Sequence, residues 1–134
     1  MKRLFLILFF LFITTLTFSQ YLYDGSGKRI ARFDDEYVYD DSGVRIGRID
    51  SDYVYDGSGV RIGRMDDQYI YNGSGVRIGR VDDTYLYDGS GRRIGRIDSE
   101  YIYDGSGKRI GRAEGLERKQ IIVFFYFFYR ATDG

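Results

Sequence analysis

The stretch Tyr53-Val54-Tyr55-Asp56-Gly57-Ser58-Gly59-Val60-Arg61-Ile62-Gly63-Arg64-Met65-Asp66-Asp67-Gln68 decides the architecture, because the chain repeats it. Copies begin at Tyr21, Tyr37, Tyr53, Tyr69, Tyr85 and Tyr101, and seven of the sixteen positions hold the same residue in all six. A unit this short cannot bury an apolar face alone, so neighbouring units must cover one another and the chain forms an array.

Each unit opens with tyrosine, an aliphatic residue and tyrosine, a strand signal of aromatic and β-branched side chains. Asp40-Asp41-Ser42-Gly43 then suits a type I turn closed by a left-handed residue. Comparison among the copies sharpens this: Asp41 replaces the first turn glycine, whereas the second glycine (Gly27, Gly43, Gly59, Gly75, Gly91, Gly107) never changes. Those six are therefore assigned to the structural turn, where a positive φ favours glycine. Asn72 stands where other copies have aspartate and keeps a side-chain acceptor for the turn.

With a three-residue loop, Tyr39 faces Arg45, Val38 faces Ile46 and Tyr37 faces Gly47. Pairing Ile49 with Tyr53 through the return turn Asp50-Ser51-Asp52 keeps every tyrosine on one face, together with the ninth-position arginine, the eleventh-position glycine and the thirteenth position. The opposite face then carries the second, eighth and tenth positions with the twelfth-position arginine. Position eleven is Ala31 once, so smallness is required there, and a tyrosine ring lying across the bare backbone would explain it. Position eight is valine in the inner copies (Val44, Val60, Val76) and charged in the outer ones (Lys28, Arg92, Lys108), the pattern of an array with wet ends and a covered middle.

The expected fold is all-β: an antiparallel sheet of six 16-residue β-hairpin repeats, single-layered or curled, with a short apolar C-terminal segment. A stacked β-solenoid is the architectural rival. The chain divides into residues 1–19, residues 20–112 as the hairpin array, and residues 113–134 as an apolar cap or association segment. Within the last, Ile121-Ile122-Val123-Phe124-Phe125-Tyr126-Phe127-Phe128-Tyr129 has no polar face, and periodicity leaves helix and strand both open.

Residues 1–19 have the form of a secretory signal peptide: Lys2 and Arg3, ten unbroken apolar residues from Leu4 to Ile13, and a small-residue exit at Thr17-Phe18-Ser19. Cleavage before Gln20 would leave a protein that does not span a membrane, exported to the periplasm, the cell surface or the medium. The chain balances 20 basic against 20 acidic residues, so no positive field draws it to nucleic acid. It has no cysteine, proline or histidine, which removes disulfides, thiolate metal sites and the commonest general base.

Catalysis needs a unique constellation of groups, whereas these side chains recur in equivalent settings, so no enzyme, cofactor or metal site is expected. The expected function is an exported structural or protein-interaction module, with a protein partner or self-association. The alternative is a carbohydrate-binding module in which Tyr53, Tyr55, Tyr69 and Tyr71 stack on sugar faces beside Arg61 and Arg77. A calcium-dependent array built on the turn aspartates is third.

Tyr85-Leu86-Tyr87-Asp88-Gly89-Ser90-Gly91-Arg92 resembles the YD repeats of bacterial RHS-type secreted proteins. The resemblance covers residues 21 to 112. Those YD repeats form strand-turn-strand units in large spiral β-sheets of shells or adhesive stalks; six copies are too few to enclose a cargo, so the resemblance implies hairpin architecture and an exported setting.

Overall fold

A computed structural model describes residues 20–129. The proposed signal peptide lies outside the described residues. Tyrosine strands β1 (Tyr21–Asp24), β3 (Tyr37–Asp40), β5 (Tyr53–Asp56), β7 (Tyr69–Asn72), β9 (Tyr85–Asp88) and β11 (Tyr101–Asp104) alternate with arginine strands. The latter are β2 (Arg29–Asp34), β4 (Arg45–Asp50), β6 (Arg61–Asp66), β8 (Arg77–Val81), β10 (Arg93–Asp98) and β12 (Arg109–Glu114). Each pairs antiparallel with its sequence neighbours, and β1 pairs with β12 through Tyr21↔Glu114, Leu22↔Ala113 and Tyr23↔Arg112. The curled alternative is therefore realised in full, as a closed barrel without edges.

The hairpin loop has the expected three residues. The Asp40 N–H donates to the Val44 carbonyl at 2.8 Å, and the Gly43 N–H donates to the Asp40 carbonyl at 3.1 Å. All six second glycines of this loop have φ between 83° and 88°.

The register beyond the loop corrects the expectation. Tyr39 pairs with Arg45, but Val38 pairs with Gly47 and Tyr37 with Arg48, because Ile46 is the extra residue of a β-bulge. One extra residue inverts the alternation behind it. Both arginines of each repeat now face outward with the tyrosines, while positions eleven and thirteen face inward with position two.

The return turn is also shorter than expected. Ile49 pairs with Val54 and Asp50 with Tyr53, leaving a two-residue loop. Its first residue is left-handed in four copies, at Asp35, Ser51, Asp67 and Ser99, so positive φ is not confined to glycine. Short polar side chains tolerate that conformation.

The inner face is closed by the C-terminal segment, which is helical. Gly115, at φ 71°, turns the chain from β12 into the bore. Helix α1 (Arg118–Val123) continues as a π-helical turn, Phe124–Phe128, with the Tyr129 N–H donating to the Phe124 carbonyl. Arg118 donates to the Asp82 carbonyl at 2.6 Å and Lys119 to that of Ser51 at 2.6 Å, so the helix starts at the return-turn end. Ile121, Ile122, Val123, Phe124 and Phe128 join Leu22, Val38, Val54, Ile70, Leu86 and Ile102 in one buried cluster.

Four of the five eleventh-position glycines face rings of this helix, and the tyrosine rings lie on the other side of the wall. A Cβ on Gly47 would overlap the Phe128 ring, on Gly63 the Phe127 ring and on Gly79 the Tyr126 ring, while on Gly95 it would stand 3.0 Å from Phe125. Consecutive helix residues thus address consecutive repeats, and the Phe124 ring meets Phe33 of the first repeat at 6.2 Å. An α-helix advances about 100° per residue, whereas repeats in a six-unit barrel stand roughly 60° apart. The wider i→i+5 winding takes a smaller step per residue and so approaches the spacing of the wall.

The valines of position eight are not covered. Val44, Val60 and Val76 are each 58% exposed at the hairpin-turn end, because the plug lies inside the bore and none of the described residues covers that rim.

Replacing Gly63 with alanine should cost about 1–3 kcal/mol, the usual penalty for overpacking. Gly111→Ala should cost less, since its Cβ would meet Tyr23 and Ile102 atoms but no helix ring. Urea denaturation of both variants checks the ordering; equal losses would exclude the ring contact as the cause.

Candidate functional site

The outer wall is built from twelve tyrosine–arginine stacks. In each repeat the ninth-position guanidinium lies over the first tyrosine of its own unit, and the twelfth-position guanidinium lies over the second tyrosine of the next. Arg61 stands 4.9 Å from the Tyr53 ring centre and Arg77 5.0 Å from that of Tyr69. Tyr55 takes Arg48 at 4.1 Å, and Tyr71 takes Arg64 at 4.2 Å. Arg112 over Tyr23, at 4.4 Å, carries the pattern across the closing seam.

All six proposed ligand-binding residues therefore share the outer wall, but as partners of arginines rather than as open rings. Tyr55, Tyr69 and Tyr71 are half-buried, and Tyr53 is the more open at 38% exposure. The part played by Arg48 and Arg64 was hidden from the sequence by the bulge, which moves them to the tyrosine face. Their recurrence in all six copies, three places after another invariant arginine, was the available signal.

Residues 19–129 match the model of a protein family described as 5-fold beta-flower protein. The chain belongs to this family. No curated protein and no solved structure matches it. The hairpin-repeat character implied by the YD-repeat resemblance holds, within a different family. This beta-flower chain has six hairpins around its central helix, where the family description speaks of five-fold.

The turns of the beta-flower repeat use their aspartates as backbone acceptors. Asp56 Oδ1 accepts the N–H groups of Ser58 and Val60 at 2.9 and 3.0 Å, and Asn72 Oδ1 does the same for Ser74 and Val76. In Asp24, Asp88 and Asp104 a serine hydroxyl adds to these donors and holds each carboxyl below its ordinary value. Among the described residues no group of three or more acidic side chains could hold a metal ion.

The return rim differs at one place. Asp82 turns back to accept the N–H groups of Tyr85 at 2.6 Å and Thr84 at 3.0 Å, which lower its pKa, and the Tyr87 hydroxyl at 2.9 Å. Elsewhere the residue at this position pairs with the arginine two places before it, as Asp50 does with Arg48 at 3.1 Å and Asp66 with Arg64 at 3.2 Å.

At the hairpin-turn end, a cavity of about 440 Å³ opens between the helix and repeats four to six. Ile78, Ile94 and Ile110 line it with the rings of Phe125, Tyr126, Phe127 and Tyr129. Within the bore the Tyr126 hydroxyl donates to the Tyr87 carbonyl at 2.6 Å, and burial pushes its pKa well up.

A phenol that stays protonated in the folded state stabilises the fold fully below the unfolded tyrosine pKa of about 10, and that stability is lost as pH rises beyond it. Tyr126→Phe should lower stability at neutral pH by about 1 kcal/mol through the lost hydrogen bond. It should also flatten the alkaline fall in stability. Urea titrations at several pH values check both, and an unchanged alkaline slope would count against a buried neutral phenol.

Proposed function

We propose that this beta-flower protein is an exported, non-enzymatic structural or protein-interaction module. The supporting observation is that the fold itself uses the invariant chemistry of the repeat. Twelve arginines stack on twelve tyrosines, the turn aspartates hold backbone N–H groups, and the bare glycines seat the plug. Surface chemistry free to meet a partner lies where the repeats differ, which is at the rims.

Export rests on the form of residues 1–19, with the YD-repeat resemblance in support. No described helix is long and apolar enough to cross a membrane. The strands, at four to six residues, fall short of the roughly 9–11 that a membrane barrel strand needs, and a belt of arginines faces outward. Mass spectrometry of the exported product should find Gln20, or its cyclised form, as the first residue; an intact Met1 would remove the cleavage reading.

Carbohydrate binding is the second reading, favoured by the exposure of Tyr53, and it requires arginines to swing off the ring faces. Tyr55→Ser with Tyr71→Ser separates the two. The structural reading expects a large fall in melting temperature, each lost stack removing about 0.5–1 kcal/mol beyond the buried ring area. The carbohydrate reading expects an intact fold and lost retention on glycan arrays. The calcium reading expects added calcium to raise the melting temperature, and no shift would end it.

A further inference from the structure

We infer that the barrels associate head to tail, the hairpin-turn rim of one molecule seating on the return-turn rim of the next. This rests on the interaction-module reading and names its partner as a second copy of the chain. The inference comes from how closure redistributes charge. In sequence, Lys28 lies far from Arg92 and Lys108; once β1 pairs with β12, repeat one joins repeats five and six and the three cations form one arc. Together with the ninth-position arginines, that sector of the rim carries six basic and three acidic side chains among the described residues. The remaining half, repeats two to four, carries three of each and the three exposed valines.

The opposite rim is divided along the same line. Around the turn between β10 and β11, the β12–β1 seam and the turn between β2 and β3, seven carboxylates face three arginines among the described residues. On the other half, six carboxylates face five cations, because Lys119 lies 3.2 Å from Asp52 and Arg118 is held at the Asp82 carbonyl. The sector of net positive charge and the sector of net negative charge therefore belong to the strands of the same repeats, at opposite ends of the barrel. Stacking one barrel on the next along a common axis, with a rotation that offsets the tilt of the strands, brings unlike sectors together and sets the valine arc over the nearly neutral half.

Such a contact uses two different surfaces, so it does not close on itself and continues as a stack. Twelve strands about 4.8 Å apart make a wall roughly 60 Å around, so each end is a disc on the order of 30 Å across with side chains. That approaches the ~800 Å² per partner of a standard stable interface, so the association should be weak and salt-sensitive.

Sedimentation velocity over a range of protein concentrations tests this, using the chain as its producing cell releases it. In about 10 mM salt the mean sedimentation coefficient should rise with concentration, and in about 1 M salt, where the screening length falls from roughly 30 Å to 3 Å, the rise should disappear. Combining Lys28→Glu, Arg92→Glu and Lys108→Glu should leave monomers at low salt, as should combining Glu36→Lys, Asp98→Lys and Glu100→Lys. Mixing the two reversed proteins should restore association, since each then offers the rim that the other needs. Circular dichroism verifies that both fold, and the salt response of the unaltered chain decides by itself if either does not. A monomer at low salt, or association that survives reversal, overturns the stack. A monomer would leave the interaction-module reading intact, because that reading is judged by the tyrosine variants.

Discussion

The contact between bare glycine backbone and the aromatic rings of residues 125–128 sets the dimensions of everything around it. Six hairpins closed into a ring leave a bore that must be filled, since an empty apolar cavity forfeits contacts on every wall. Side chains from the strands fill it only in part, because position eleven contributes almost none. The helix supplies the missing volume, and the glycines let its rings approach the backbone of the wall. Each depends on the other: a larger residue at position eleven would expel the rings, and without the rings the glycines would face a void.

The bulge at position ten is the second constraint, and it follows from the first. Invariant arginines at positions nine and twelve would fall on opposite faces of a regular strand, placing one of them in the bore. The extra residue turns both outward, where each finds a tyrosine face, and turns the glycine inward, where the helix needs it. The interior becomes apolar and the exterior becomes a belt of guanidinium–ring stacks. An individual exposed stack contributes modestly, but twelve in a closed cycle bind every strand to both neighbours.

Much of this could be read from the chain and some could not. The hairpin, its three-residue loop and the six left-handed glycines followed from comparing the copies, because those features depend on residues within a few positions of one another. Register failed after Arg45, since a bulge has no residue signature of its own when Ile46 could equally pair with Val38. The left-handed return residues were missed because aspartate and serine fit many turns. Position eight misled for a different reason: in an open array Lys28 and Lys108 mark the ends, whereas in a closed one they are neighbours.

The sequence by itself determined the repeating unit and its strand-turn-strand form, local properties of sixteen residues, and it displayed the demand for small residues at position eleven, whose cause is tertiary. Closure, the helical state of the tail and the faces taken by the arginines were decided by tertiary structure alone. Nine apolar residues suit a helix or a strand equally well, and only the surrounding wall chooses: a bore lined by inward-facing glycines accepts a cylinder of rings. The same closure converts a scatter of charged and apolar residues at position eight into a two-sided rim, because adjacency across the seam exists only once the first strand has found the last.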